Sequence, residues 1–247
     1  MTILTNENDI RKIRESGEIL KKVFSFVENK INPGISTLEL DVEVEKEIRR
    51  LGADPAFKGY KGYPGSICAS LNEVVVHGIP SSDIIIKDGD IISIDIGVKK
   101  NGYFTDAART FSVGTIAEEA ECLIDCTKQC LTEGIKQAVT GNRVSDISHA
   151  IQCVAEKFGF KEVRMFVGHG VGRALHEPPE VPNWGQRGNG PVLQQGLVLA
   201  IEPMINCGTR NVKIMPDGWT AVTSDGRLSA HFEDTIIVGQ KKAEIIT

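Results

Sequence analysis

The sequence predicts an α+β protein in which helices cover a sheet. Two amphipathic helices precede a strand-rich segment, and the same order of elements repeats in the second half of the chain. The halves also share a short echo, because the segment 87–95 aligns without gaps on the segment 194–202, with a glycine, an apolar run and a closing acid in common. We therefore predict a single domain, residues 1–247, made of two related halves at roughly 5–113 and 114–240.

In the first half, apolar residues over 10–27 recur at helical spacing, and the sequence Asn-Pro-Gly at 32–34 ends this helix. A capping box formed by Ser36 and Glu39 opens the second helix. From 66 to 113, short β-branched runs are broken by Gly, Asp and Asn. This texture predicts strands and hairpins.

The second half repeats this order. Helical spacing returns over 120–135, with a stop near Gly141, and again over 147–158. Strand-like segments then continue to the end of the chain, among them 197–205 and 231–238. No stretch between the halves has the composition of a linker, which favours one domain over two.

The composition limits the possible partners. A formal net charge of −5 gives no electrostatic footprint for nucleic acid, and no basic run suggests binding to an anionic membrane. The first residues lack the basic start and apolar stretch of a signal peptide, and no run approaches the roughly 18 apolar residues that a membrane span needs. A cytoplasmic location is therefore expected.

The six cysteines fit a reducing compartment as free thiols. Cys122, Cys126 and Cys130 recur every four residues along one stripe of a predicted helix. This spacing matches no common zinc or cluster pattern, so we predict buried or half-buried structural thiols.

Acidic residues stand at the ends of apolar segments. Asp95 and Glu202 each close a buried strand, where a carboxylate is costly unless it is paired or binds a cation. A hairpin after Asp95 would return Asp106 to its neighbourhood, and Glu233 leads into another apolar strand. His169 lies in a glycine-rich segment that would let the backbone bend tightly around a site.

Each of these acids alone could serve a salt bridge or a turn. Gathered in one core, four carboxylates would repel one another without counter-charge. Two divalent cations supply that charge, and ligation by oxygens with one nitrogen suits such ions. The five residues together therefore indicate a two-metal site.

The motifs resemble those of methionine aminopeptidases of type I, the short bacterial form, over about residues 5–240. The motifs that carry the resemblance are Asn-Glu-Val-Val-Val-His-Gly-Ile-Pro at 72–80, Ile-Asp-Ile-Gly-Val at 94–98, Tyr-Phe-Thr-Asp-Ala-Ala-Arg-Thr at 103–110, Gly-His-Gly-Val-Gly at 168–172, His-Glu-Pro-Pro at 176–179, Ile-Glu-Pro at 201–203 and Phe-Glu-Asp-Thr at 232–235. The resemblance implies the pita-bread fold, in which two pseudo-twofold halves place helices over a curved antiparallel sheet.

The resemblance also implies a mechanism. Two metals would be held by Asp95, Asp106, His169, Glu202 and Glu233, with Asp106 and Glu233 bridging. Glu202 would take a proton from water and pass it toward the leaving amine. Of the two further histidines, His176 would stabilise the tetrahedral intermediate and His77 would contact the scissile amide. His231 receives no role from the resemblance.

The substrate pocket is expected to be an apolar wall that suits a thioether. The residues that align with pocket positions are Phe57, Tyr60, Tyr63, Cys68, Leu175 and Trp219. Phe57 stands where some relatives have Cys, and Leu175 where many have Phe. Both stay apolar, so the preference for methionine should survive while the shape of the pocket changes. Asn72, Val74 and Ser229 match a site for a monovalent cation, Na or K.

The expected substrates are peptides and nascent chains with N-terminal methionine and a small second residue, which would place the enzyme near the ribosome. A monomer is expected. The metal could be Co, Mn, Fe, Ni or Zn, because all accept carboxylates and one imidazole. Three alternatives remain: a proline-specific peptidase of the same fold, an inactive pita-bread binding module, and a creatinase-like hydrolase without metals. The complete set of acids argues against the last two.

Overall fold

The computed structural model describes residues 1–247. It contains four α-helices, which are α1 (Glu7–Glu28), α2 (Thr37–Arg50), α3 (Glu118–Lys136) and α4 (Val144–Phe158). Asn6 caps α1 through its side chain, and the capping box at Ser36 and Glu39 is present at the start of α2. None of the helices is both long and apolar enough to cross a lipid bilayer.

The strands form one large and two small sheets. In chain order they are β1 (Asp54–Pro55), β2 (Cys68–Leu71), β3 (Val74–Val76), β4 (Ile91–Lys100), β5 (Tyr103–Ser112), β6 (Lys161–Glu162), β7 (Gly168–Gly170), β8 (Glu177–Val181), β9 (Val198–Ile201), β10 (Met204–Asn206), β11 (Val212–Ile214), β12 (Ala221–Thr223), β13 (Ser229–His231), β14 (Glu233–Ile237) and β15 (Glu244–Ile245).

The large sheet has nine strands and combines both predicted halves. Its order is β1-β4-β5-β14-β9-β7-β8, with β2 also paired to β4 and β15 to β14. The two small sheets have the orders β13-β10-β6 and β11-β12-β3, and every pairing between named strands is antiparallel. The predicted α+β class with an antiparallel sheet is confirmed.

Two hydrophobic clusters join helices to the large sheet. Helices α1 and α2 pack against β2, β4 and β5, whereas α3 and α4 pack against β9 and β14. Each helix pair therefore covers strands from its own half of the chain. The division into two halves within a single domain stays a prediction.

The structure breaks two segments that the sequence predicts as continuous strands. The segment 197–205 divides at Glu202 and Pro203, because proline has no N–H for the ladder, and the chain passes from the large sheet in β9 to a small sheet in β10. The segment 231–238 divides at Phe232, between β13 and β14. Helix α3 also ends at Lys136, earlier than the predicted stop near Gly141.

All six cysteines are free thiols. Cys126 and Cys130 are buried, but Cys122 is exposed, so the prediction of burial is wrong for Cys122. Because an α-helix turns by about 100° per residue, a step of four advances the side chain by about 40°. The stripe therefore rotates off the packed face by Cys122.

Candidate metal centre and adjoining cavity

The hairpin of β4 and β5 brings the first two acids together. Gly97 pairs with Asp106, and Asp95 pairs with Ala108, so the two carboxylates lie diagonally on one face of the ladder. Packing against Phe57 explains why residue 97 is a glycine. A Cβ at this position would lie 2.6 Å from a ring carbon of Phe57, so only glycine lets that ring close over the hairpin.

Glu233 and Glu202 reach the same face from the second half of the chain. Glu233 pairs with Ala108, which also pairs with Asp95 on its other side. The small Ala108 of β5 therefore lies between two carboxylates, one on each of the strands that flank β5. Glu202 follows β9 directly, at the point where the chain leaves the large sheet.

His169 in β7 completes the group. Its Nδ1 lies 2.9 Å from the carbonyl oxygen of Gly170. Donation from Nδ1 to this oxygen leaves the lone pair on Nε2, which lies 3.5 Å from Oε1 of Glu202 and 3.9 Å from Oδ2 of Asp106. Ligand atoms of Asp106, His169 and Glu233 lie within 4.8 Å of one another.

The glycines beside His169 serve close packing of strands, not the tight bend that the sequence predicts. Neither Gly168 nor Gly170 has a positive φ. A Cβ on Gly168 would lie 2.5 Å from the carbonyl oxygen of Ala200, and one on Gly170 would overlap that of Pro178. Neighbouring backbones therefore approach His169 from both sides and fix its place.

The electrostatics of the cluster call for cations. Burial raises the pKa of Asp106 to about 7, and burial with repulsion from neighbouring carboxylates raises the pKa values of Asp95, Glu202 and Glu233 well above their ordinary range. Three buried oxygens have no hydrogen-bond partner: Asp95 Oδ1, Asp106 Oδ1 and Glu233 Oε1. Burial also lowers the pKa of His169 to about 4, so its imidazole is neutral at pH 7. Unpartnered oxygens and a free imidazole nitrogen fit divalent cations.

A cavity of about 290 Å³ adjoins the carboxylates. Its lining includes all thirteen residues that the sequence analysis assigns to metals, catalysis and the methionine pocket: Phe57, Tyr60, Tyr63, Cys68, His77, Asp95, Asp106, His169, Leu175, His176, Glu202, Trp219 and Glu233. The volume lies at the lower end for ligand pockets, so it suits one side chain better than a large ligand.

Two histidines stand at the cavity with different neighbours. Nδ1 of His176 lies 2.9 Å from the hydroxyl of Tyr60, and the two rings are stacked with centroids 5.1 Å apart. His77 has a positive φ of 60°, and its ring meets Phe166 and Trp219 edge-on at 5.2 Å and 6.1 Å. Burial lowers the pKa of His77 to about 4. Both aromatic contacts restrict the ring of His77 beside the cavity.

The inner wall of the cavity is fixed by hydrogen bonds behind it. The hydroxyl of Tyr63 lies 3.0 Å from the carbonyl oxygens of both Ile67 and Gly78. The segment before Cys68 is held further by Asp41, which accepts hydrogen bonds from the backbone N–H groups of Ser66 and Ile67. Tyr63, Cys68, Phe57 and Leu175 form one small buried apolar cluster.

Six residues of the lining were not predicted: Lys61, Val76, Met165, Phe166, Val167 and His231. Only His231 carried a signal in the sequence, because it lies two residues before Glu233 and strand alternation puts both on one face. Met165, which is 58% exposed, and the exposed Lys61 come from loops whose placement depends on contacts distant in sequence.

The residues matched to a monovalent cation lie close together but are already hydrogen-bonded. The N–H of Ser229 donates to the carbonyl oxygen of Asn72, and the hydroxyl of Ser229 lies 2.8 Å from Oδ1 of Asn206. The side chain of Asn72 bonds to Asp90 and to the backbone of Ile91. A cation here would depend on main-chain oxygens, including that of Val74, and the site stays a prediction.

Comparison with known proteins agrees with this geometry. The model of metallopeptidase family M24 matches residues 11–240. The chain belongs to metallopeptidase family M24. The methionine aminopeptidase of Clostridium perfringens is 52% identical over 247 residues, covering 100% of this chain and 99% of that protein. The crystal structure of methionine aminopeptidase from Thermotoga maritima superimposes with a TM-score of 0.97 at 42% identity, covering 100% of this chain and 99% of that one.

These findings confirm the resemblance to methionine aminopeptidases and the pita-bread fold. They also bear on the proline-specific alternative. The prolidase from Pyrococcus furiosus superimposes with a TM-score of 0.81, but at 24% identity and with 65% of its own chain covered. That likeness shows the shared fold alone. As an M24 metallopeptidase with a cluster of metal-ligating side chains, the chain depends on a divalent metal.

Proposed function

We propose that this enzyme hydrolyses the peptide bond after an N-terminal methionine of nascent proteins and short peptides, with preference for a small second residue. The observation that carries the proposal is the small apolar cavity that opens directly onto the cluster of four carboxylates and His169. Such a cavity would hold one unbranched side chain while the carboxylates face the bond to be cut. The preference for a small second residue follows the resemblance.

The five clustered residues are proposed to hold two divalent cations. The residues are Asp95, Asp106, His169, Glu202 and Glu233. When bound, the cations would supply counter-charge to the carboxylates and Lewis-acid polarisation of the scissile carbonyl. The choice among Co, Mn, Fe, Ni and Zn is open, because this set of ligands accepts each of them.

Glu202 is the proposed proton carrier. Its carboxylate lies at the cavity and faces the free nitrogen of His169. It would accept one proton from the attacking water and deliver it to the nitrogen of the departing amine, so that the acid and amine products balance. A carboxyl whose pKa burial holds above its ordinary range is suited to both steps.

The two outer histidines are proposed to act on the substrate. If the hydroxyl of Tyr60 donates to Nδ1 of His176, the proton of that imidazole lies on Nε2, which can donate to the carbonyl oxygen as it gains charge. His77 is neutral at pH 7 and would contact the scissile amide. Each role requires a hydrogen bond that strengthens toward the transition state.

The apolar wall would select methionine by size and polarisability. Phe57, Cys68, Leu175 and Trp219 offer aromatic, sulfur and aliphatic surfaces, against which a thioether packs well. A β-branched or charged side chain would fill this shape poorly or leave a charge without a partner. A monovalent cation at Asn72, action near the ribosome, a monomeric state and a cytoplasmic location remain predictions from the sequence.

The experiment is hydrolysis of Met-Ala-Ser and of an Ala-Pro dipeptide by metal-stripped protein, with and without added Co²⁺ or Mn²⁺. We expect metal-dependent cleavage of the methionyl peptide alone. Glu202→Gln should lower it to a small residual rate while retaining the fold. Cleavage of the prolyl peptide instead would assign a proline-specific peptidase, and the absence of cleavage with every metal would favour a binding module.

A further inference from the structure

His231 is a polar residue at the centre to which the mechanism above gives no role. Its side chain lines the cavity, the residue is 2% exposed, and Nε2 has no hydrogen-bond partner. An unpartnered buried nitrogen costs free energy that an apolar residue of similar size would avoid. Its presence therefore calls for a functional explanation.

The backbone of His231 is held firmly. Its N–H donates to Oγ1 of Thr110 at 2.9 Å, and the same hydroxyl donates to the carbonyl oxygen of His231 at 2.9 Å. Because the proton of Thr110 is used in this way, Ser93 must donate its own hydroxyl proton to Oγ1 of Thr110 across 2.8 Å. These hydrogen bonds fix the backbone position of His231, from which its side chain extends toward the cavity.

The repeated architecture explains why this ring faces the centre. Val113 and Val238 directly follow β5 and β14 and are equivalent. Val113 exchanges hydrogen bonds with Gly89 and Asp90, and Val238 does so with Gly196 and Leu197. Asp106 and His231 each lie seven residues before these valines. His231 therefore takes, in the second half, the strand position that Asp106 takes in the first.

The nearest acidic group to the ring is Glu202. Nε2 of His231 lies 3.7 Å from Oε2 of Glu202, while Oε1 of the same carboxylate lies 3.5 Å from Nε2 of His169. When His169 donates from Nδ1 to Gly170, its Nε2 has no proton to offer. Among these two imidazoles, only His231 can then donate to the carboxylate of Glu202.

We propose that His231 is a positioning residue, which donates from Nε2 to Oε2 of Glu202 and so keeps the other carboxylate oxygen directed at the water. The distance of 3.7 Å is longer than a hydrogen bond, so the proposal requires a small rotation of the His231 ring or of the Glu202 carboxylate. The inference rests on the proposed function, because it acts through Glu202 as the proton carrier. It concerns orientation of that carboxylate, not binding of the metal.

The test compares three variants of the full-length enzyme with Met-Ala-Ser as substrate. His231→Gln keeps an N–H donor of similar reach, His231→Asn keeps the amide but is too short, and His231→Leu removes the donor. We expect kcat to fall by about 10- to 100-fold in the Leu and Asn variants, with KM changed less than about threefold. The Gln variant should recover to within about fivefold of the wild type.

Two further readouts separate positioning from other roles. Titration calorimetry with Co²⁺ should give metal affinities within about threefold of the wild type for all three variants. In a Glu202→Gln background, His231→Leu should lower the residual kcat no further, because the two residues act as one unit. Thermal unfolding checks that the variants fold. If the Leu variant does not fold, the comparison of kcat between the Gln and Asn variants is the test.

The inference is overturned if His231→Gln is as slow as His231→Asn, if kcat is unchanged in both, or if metal affinity falls more than about tenfold, which would make His231 a ligand. Failure of the proposed function is distinct. In that case the wild type itself would show no metal-dependent cleavage of Met-Ala-Ser, and the variants would have no rate to compare.

Discussion

Replacing Asp106 by asparagine should stabilise the metal-free protein while destroying its response to metal. Asp106 is fully buried among other carboxylates, and burial raises its pKa from an ordinary 3.8 to about 7. The difference corresponds to a free energy on the order of 4 kcal/mol, by which ionised Asp106 destabilises the metal-free fold. The amide removes that cost, although an unmatched N–H would return about 1–2 kcal/mol of it. A net gain of about 2–3 kcal/mol is expected.

The sign depends on pH in a defined way. Because the pKa of Asp106 is higher in the folded protein than in the unfolded chain, the folded state binds the additional proton, and stability falls as pH rises from about 4 to about 7. The advantage of Asp106→Asn over the wild type should therefore be small at pH 5 and largest at pH 8. With Co²⁺ present the order reverses, because the variant has lost a proposed ligand.

The assay is urea unfolding of both proteins in EDTA and in Co²⁺ at several pH values, followed by circular dichroism. Asp234→Asn is the matched control, because Asp234 is the neighbour of Glu233 but accepts a charged hydrogen bond from Arg109 at 2.5 Å. Asn keeps an oxygen that can accept from Arg109 but loses the negative charge, so its change in stability should be the same with and without metal. A metal-free Asp106→Asn protein no more stable than the wild type at pH 8 would refute the argument that burial of ionised Asp106 destabilises the metal-free fold.

Three further predictions, made with four substitutions, test the cavity and two equivalent glycines. Tyr60→Phe removes the partner of Nδ1 in His176 and should lower kcat by about tenfold with a small change in KM, measured on Met-Ala-Ser. Leu175→Ala removes a side chain that is 2% exposed, so it should cost about 2–5 kcal/mol in urea unfolding and raise KM for methionyl peptides relative to peptides with a bulkier first residue. Gly89 has a positive φ, and an added Cβ would meet only the carbonyl oxygen of Thr115 at an ordinary contact distance of 3.8 Å, so Gly89→Ala should cost about 1–2 kcal/mol. Gly196→Ala also overlaps the backbone of the N-terminal segment and should cost more. Equal costs for the two glycines would contradict that difference.

Features that depend on local sequence were predictable. The capping box at Ser36 and Glu39 appears where the sequence places it, and the hairpin after Asp95 returns Asp106 to the same face. Both follow from interactions within a few residues, or from one turn and the strand period of two. A buried strand that ends in an acid also predicts a nearby partner or cation, because the free-energy cost of burying the charge must be offset.

Features that depend on contacts distant in sequence were missed. The segment 197–205 was predicted as one strand, but at Glu202 the chain passes from the large sheet to a small one. The local sequence does not determine which sheet each part joins. The same holds at Phe232. Lys61 and Met165 reach the cavity from loops, and their positions depend on how those loops pack. His231 lies two residues before Glu233, but its approach to Glu202 depends on a segment distant in sequence.

The order of the large sheet explains why four acids from separate segments meet. The four central strands are neighbours in the order β4, β5, β14 and β9. Asp95 lies in β4, Asp106 in β5 and Glu233 in β14, and Glu202 follows β9 directly, so each central strand supplies one carboxylate. Strands β5 and β14 pair with each other, and the site lies over this pairing. Strand pairing thus gathers four carboxylates from separate segments of the chain, and divalent cations would offset the repulsion between them.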